Sequence, residues 1–189
     1  MEEEISRKDF FRKGIFSIVK PFAEAVEKKI DGVKTGLLRP PGAVDEVSFI
    51  ALCTKCDLCK EACPHGAIRL APMSYGVAVR TPYIDPATEP CRLCEDLPCI
   101  EVCEPGALVP VERADVAMGE AVIDEKSCLA WRGVMCESCA AACPFPGEAI
   151  RLDAMSRPEV VPERCTGCGL CVKACVTTPP AVKVIAFDD

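Results

Sequence analysis

Nowhere in the 189 residues of this chain do eighteen uncharged apolar residues follow one another, so no stretch reads as a membrane-spanning helix, and a soluble or peripheral protein is expected. Aromatic side chains are scarce at 5%, although the apolar fraction is 50%. Large core-filling groups are therefore few, and something other than hydrocarbon must occupy the interior. The chain has no Gly-rich phosphate loop and no Ser-His-Asp or Cys-His set, which points away from a free-standing enzyme. Positive charge is short as well. The net charge is -7, and no basic, aromatic-studded face marks the cysteine-rich part, which argues against nucleic acid as a partner.

Cysteine is what the chain has in excess, with 16 residues in four runs. They are Cys53, Cys56, Cys59 and Cys63; Cys91, Cys94, Cys99 and Cys103; Cys128, Cys136, Cys139 and Cys143; and Cys165, Cys168, Cys171 and Cys175. Four copies of one tight run are unlike a secreted disulfide framework. Structural zinc usually takes two separated C-x2-C knuckles, which is also a different pattern. The first and last runs read C-x2-C-x2-C-x3-C, a spacing that wraps three thiolates around one iron-sulfur cubane and sends the fourth to a neighbouring cluster. This is the reciprocal arrangement of bacterial two-cluster ferredoxins, and four runs make two such modules. Four 4Fe-4S clusters with all sixteen cysteines as metal ligands are predicted, with no catalytic residue. No run lacks a sulfur, as a 3Fe-4S site would require.

The second run widens to C-x4-C and the third to C-x7-C, which enlarges a loop without removing a ligand. Proline follows Cys63 and Cys143 directly and ends the helical turn there. Between runs, three pairs of short segments read as hairpins: "GAIRL" with "PYIDP", "GALVPV" with "AVIDE", and "EAIRL" with "EVVPE". The expected fold class is α+β: two dicluster-ferredoxin-like modules of short hairpins and short helices over residues 37–189, plus an N-terminal amphipathic helix within 1–36. His65 reads as a turn residue, since each cluster already has four cysteines. Trp131, inside the widened third run, reads as a shield between a cluster and water.

The N-terminal 36 residues hold no cysteine. "SRKDFFRK" at Ser6 to Lys13 resembles a degenerate twin-arginine export motif, with Lys8 in place of the second arginine. The apolar stretch after it is short and is interrupted by Lys20 and Pro21. Phe11, Ile15, Ile18, Val19, Phe22, Val26, Ile30 and Val33 recur at helical spacing, giving a stripe for the chain's own body, a partner or a membrane surface. Cytoplasmic residence, with possible membrane association, is the expectation; twin-arginine export to the periplasm is the rival.

Several stretches in order, "RPPGA", "TPY", "CEDLPC", "GAL", "MGEAVID", "CTGCGLC" and "PAVKV", resemble the NapG/MauM family of ferredoxin-type proteins over about residues 39–187. That family is known from periplasmic nitrate reduction and methylamine dehydrogenase systems. The resemblance implies an electron relay between a donor, such as a membrane quinol-oxidising polyferredoxin, and a terminal reductase or dehydrogenase. A protein that assists assembly of an immature redox enzyme is the competing reading. The chain is also similar to the iron-sulfur β subunits of molybdopterin oxidoreductases, in which inner runs pair with inner and outer with outer. That likeness favours a nested arrangement: Cys53, Cys56 and Cys59 with Cys175; Cys165, Cys168 and Cys171 with Cys63; Cys91, Cys94 and Cys99 with Cys143; and Cys128, Cys136 and Cys139 with Cys103. Sequential pairing, first run with second and third with fourth, is the alternative.

Overall fold

A computed structural model describes residues 35–187. The chain divides into two units, Met1–Lys34 and Thr35–Asp189. The expected N-terminal helix, the export-like motif and the compartment inferred from them lie outside the described residues.

The described part is α+β, made of helices of four to seven residues and three two-stranded sheets. Helix α1 spans Glu46–Leu52, α2 Leu58–Ala62, α3 Pro98–Glu101, α4 Ser138–Ala141 and α5 Leu170–Ala174. Only α1 has a side-chain cap, from Asp45 to the Ser48 N–H (3.0 Å). Helices this short do not persist alone, so tertiary bonds must hold them. Each of α2 to α5 carries the third cysteine of its run, and the fourth follows where the helix ends.

Strands β1 (Ile68–Leu70) and β2 (Pro82–Ile84) form one antiparallel hairpin, with Ile68 opposite Ile84. Strands β4 (Ile150–Leu152) and β5 (Pro158–Val160) form a second, with Ile150 opposite Val160. Both match the sequence expectation. The third expected hairpin does not form. Strand β3 (Gly119–Ile123), which contains most of "AVIDE", pairs instead with β6 (Val182–Ala186), which contains most of "PAVKV". "GAL" turns back to the start of the described chain, where Ala43 bridges Leu108 and Val109 N–H donates to the Gly42 carbonyl (2.7 Å). A Cβ on Gly42 would lie 2.2 Å from the Val109 carbonyl oxygen, so this approach requires glycine.

The two halves are thus built alike. In each, the segment before the first run pairs with the segment after the second, and a hairpin joins the runs between. The core mixes short aliphatics with cysteine: Phe49, Ile68, Ile84, Leu93, Leu108 and Met118 are buried with Cys91, Cys99 and Cys168 in one cluster. A second cluster gathers Ala121, Ile150, Val172 and Val182 around Cys171. Hydrocarbon surrounds the cysteines and does not fill the space between them.

Candidate metal centres

Each run bends by left-handed residues placed between its cysteines. Lys55 and Asp57 (φ 58° and 67°), Leu93 and Leu97 (48° and 43°), and Gly167 and Gly169 (71° and 82°) occupy such positions. These kinks curl the backbone around a cavity instead of letting it continue as a helix. The third run has none within its C-x2-C; its long spacer turns at Gly133 (φ 82°).

Four cavities result, each with four cysteines in its wall. Cys53, Cys56, Cys59 and Cys103 line the first (site A), and Cys63, Cys91, Cys94 and Cys99 the second (site B). Cys143, Cys165, Cys168 and Cys171 line the third (site C), and Cys128, Cys136, Cys139 and Cys175 the fourth (site D). All sixteen cysteines are used once. Among the described residues no three His, Cys, Asp or Glu side chains converge on a single-ion site; the sulfurs stand around a space instead.

This grouping overturns the nested arrangement. Cys63 lies with Cys91, Cys94 and Cys99, and Cys103 with the first run; Cys143 and Cys175 are exchanged within the second pair of runs in the same way. The hairpins give the physical reason. Antiparallel β1 and β2 carry the chain out from Cys63 and return it at Cys91, and β4 and β5 do the same from Cys143 to Cys165. Nesting would need a comparable turn between Cys103 and Cys128, where the structure instead sends β3 to β6.

The remaining lining is chiefly apolar. Pro105 stands at site A, Pro64 at B and Pro144 at C, each one or two residues after the cysteine that its run contributes. Backbone amides donate to the sulfurs: Leu108 N–H to Cys103 (3.3 Å), Ala67 to Cys63 (3.4 Å), Leu93 to Cys91 (3.4 Å), Ala121 to Cys165 (3.4 Å) and Ala181 to Cys175 (3.3 Å). Such donors favour thiolate over thiol. Burial works against them in the metal-free protein. It pushes Cys59, Cys91 and Cys171 up to about 12, and Cys99 and Cys139 up to about 11, with neighbouring cysteine sulfurs adding to the rise. Cys175 goes the other way: burial raises it, but the Thr177 hydroxyl and the amides of Thr177, Ala181 and Val182 outweigh that and lower it. Four sulfurs, apolar walls and inward N–H donors fit an iron-sulfur cubane at every site.

His65 is exposed in a turn, at the rim of site B. Trp131 packs against the buried cluster of Cys128, Ala130 and Ala181, its indole N–H donates to the Pro158 carbonyl (3.2 Å), and Arg157 lies 4.5 Å above its ring. It stands behind the wall of site D and does not line the cavity, so the shielding there comes from Leu129, Pro158 and Ile123.

Sequence reasoning missed a buried assembly beside site A. Arg39 forms a two-pronged ion pair with Glu46 (2.7 and 2.6 Å) and donates to the Thr81 hydroxyl (2.8 Å) and the Pro82 carbonyl (2.7 Å). Its guanidinium stacks 4.6 Å from the ring of Phe49, which is fully buried and forms part of the site A wall. The motifs "RPPGA" and "TPY" meet here.

Comparison with known proteins agrees with this geometry. Residues 52–107 and 120–176 each match a family described as a 4Fe-4S dicluster domain, so each match spans one pair of runs. The methylamine utilization ferredoxin-type protein MauM of Methylophilus methylotrophus is 38% identical over 194 residues, covering 96% of this chain and 85% of its own. The ferredoxin-type protein NapG of Escherichia coli K12 is 42% identical over 164 residues, covering 80% of this chain and 71% of its own. MauM of Paracoccus denitrificans is 38% identical over 175 residues, covering 87% and 78%. The protein carries four 4Fe-4S clusters and transfers electrons; it is not a catalytic enzyme. This chain belongs to the NapG/MauM family of ferredoxin-type proteins.

Proposed function

We propose that the sixteen cysteines ligate the clusters in the four groups that line the cavities, and that the sites act as one wire in the order A, B, C, D. Within each half, neighbouring sites share a run: Cys59 and Cys63 sit one helical turn apart on either side of A and B, and Cys171 and Cys175 likewise between C and D. One contact between the halves carries the reading. The Cys91 N–H donates to the Cys168 carbonyl (3.0 Å), so a residue of site B is hydrogen-bonded directly to a residue of site C. Pro86 against Gly169, and Lys173 on the Thr88 carbonyl (2.6 Å), close the same junction. The clusters supply one-electron chemistry; the chain spaces them, limits water and connects them.

A wire needs a partner at each end. The relatives place the chain among redox partners in electron-transfer chains. The finer reading is that a membrane quinol-oxidising protein donates and a terminal reductase or dehydrogenase accepts. No helix among the described residues is long and apolar enough to cross a membrane, so contact with a membrane donor is peripheral in this reading. At site A, Cys56 is exposed; at site D, Met135 and Val176, each beside a cysteine of that site, are 89% and 60% exposed. The charges at Lys8 and Lys20 support the cytoplasm as the compartment. Stopped-flow mixing of reduced protein with the mature partner tests the relay, and transfer faster than partner turnover is expected. Binding only to the cofactor-free partner, without transfer, would favour the assembly role instead.

A further inference from the structure

The two ends of this wire are chemically different, and we infer that the difference sets the direction of flow, with electrons entering at site A and leaving at site D. The inference rests on the four-site reading above.

At site D, the Thr177 oxygen lies 3.2 Å from the Cys175 sulfur. The same oxygen accepts the Ala181 N–H (2.8 Å), which commits a lone pair and leaves the hydroxyl proton free. A cysteine bound to iron has no proton to give, so Thr177 is the donor. Ser138 differs: in the metal-free chain its hydroxyl accepts from the Cys136 sulfur at 3.8 Å, so it is no donor to that site. Reduction adds one negative charge to a site, and a donated hydrogen bond stabilises the more negative state, so the Thr177 hydroxyl raises the potential of site D.

At site A, Asp57 lies between Cys56 and Cys59 and lines the cavity. One carboxylate oxygen pairs with Arg80 (2.8 Å), whose side chain is 60% exposed. The other, Oδ1, is buried without a partner. Arg80 compensates the outer oxygen and Lys55 also stands in the cavity wall, but the unpartnered Oδ1 keeps negative charge at the wall, which opposes the added electron and lowers the potential of site A. One electron taken from a reduced protein donor at A therefore moves down the gradient to an oxidised protein acceptor at D. The donor is oxidised by one electron, the acceptor is reduced by one, and no proton moves.

Asp57→Asn keeps the shape and tolerates the left-handed backbone, and Thr177→Val keeps the volume and removes the hydroxyl. The readout is an anaerobic potentiometric titration followed by electron paramagnetic resonance, with iron counted in each sample. Asp57→Asn is expected to shift the most negative of the four reduction waves upward. Thr177→Val is expected to shift the most positive one downward, and Thr177→Ser to restore it. Unmoved potentials in either variant, movement of the same wave by both, or the reverse order of the two waves overturns the inference. If Thr177→Val loses iron, Thr177→Ala serves at the same site, and an unmoved most positive wave then overturns it. Wild-type protein with fewer than four clusters by iron count would contradict the four-site reading itself, independently of the variants.

Discussion

Arg39 and Cys63 show two kinds of residue in this chain. Replacing Arg39 by alanine leaves Glu46 buried without its charge partner, and Thr81 and the Pro82 carbonyl without a donor. The expected cost is about 3–5 kcal/mol, read as a lower denaturation midpoint of the cluster-loaded protein. Lysine should recover only part, since an ammonium cannot match both carboxylate oxygens and the Phe49 face. An unchanged midpoint would show that the pair does not hold this segment to site A. For Cys63, alanine is expected to abolish the same spectroscopic signal as Cys91→Ala and to spare the one lost in Cys165→Ala. Shared loss with Cys165 would restore the nested arrangement. The cysteines that line the four cavities were legible in the sequence, because cluster binding is written in local spacing. Arg39 was not, because its partners stand 7 and 42 residues away and nothing in the local pattern links them.

At the scale of elements, β1 with β2 and β4 with β5 were legible because each hairpin is local. The third pairing failed because alternation of side chains identifies a strand but not its partner. β3 and "GAL" both read as strands, and each found a partner beyond its neighbour. The nested arrangement came from the likeness to iron-sulfur β subunits, and the cavities group the cysteines otherwise. At the junction of the halves, a Cβ on Gly169 would lie 2.5 Å from Pro86 Cβ, and the backbone there has φ 82°. Gly169→Ala is therefore expected to keep sites A and B intact while slowing transfer between the halves, seen as biphasic reoxidation after rapid mixing. Single-phase kinetics at the wild-type rate would mean that electrons do not cross at Cys91 and Cys168. Residues 1–40 fused to an export reporter are expected to leave it in the cytoplasm; efficient twin-arginine export would place the relay in the periplasm.

For the molecule as a whole, the clusters take the place of a hydrocarbon core, so folding and metal loading are one process. Burial keeps Cys59, Cys91 and Cys171 protonated up to about 12 when metal is absent, from an ordinary 9.0. Ligation must release those protons, so loading is favoured as pH rises and opposed as it falls. Reconstitution at pH 6 should give less iron per chain than at pH 8, and equal loading would contradict the protonated-thiol account. The body is also acidic, because the N-terminal 36 residues hold 8 of the 22 basic side chains but only 7 of the 29 acidic ones. Each oxidised cluster with four thiolates adds about two negative charges, so encounter with a basic partner should weaken with salt. On the proposed wire, four cubanes stand in line, with run one paired with two and run three with four. Anomalous scattering at the iron edge from anaerobically grown crystals tests it most directly. Four compact groups of four iron atoms are expected, one in each cavity, in the order A, B, C, D with B and C flanking Cys91 and Cys168. Iron groups that join the first run to the fourth, or single metal ions in place of cubanes, would contradict it.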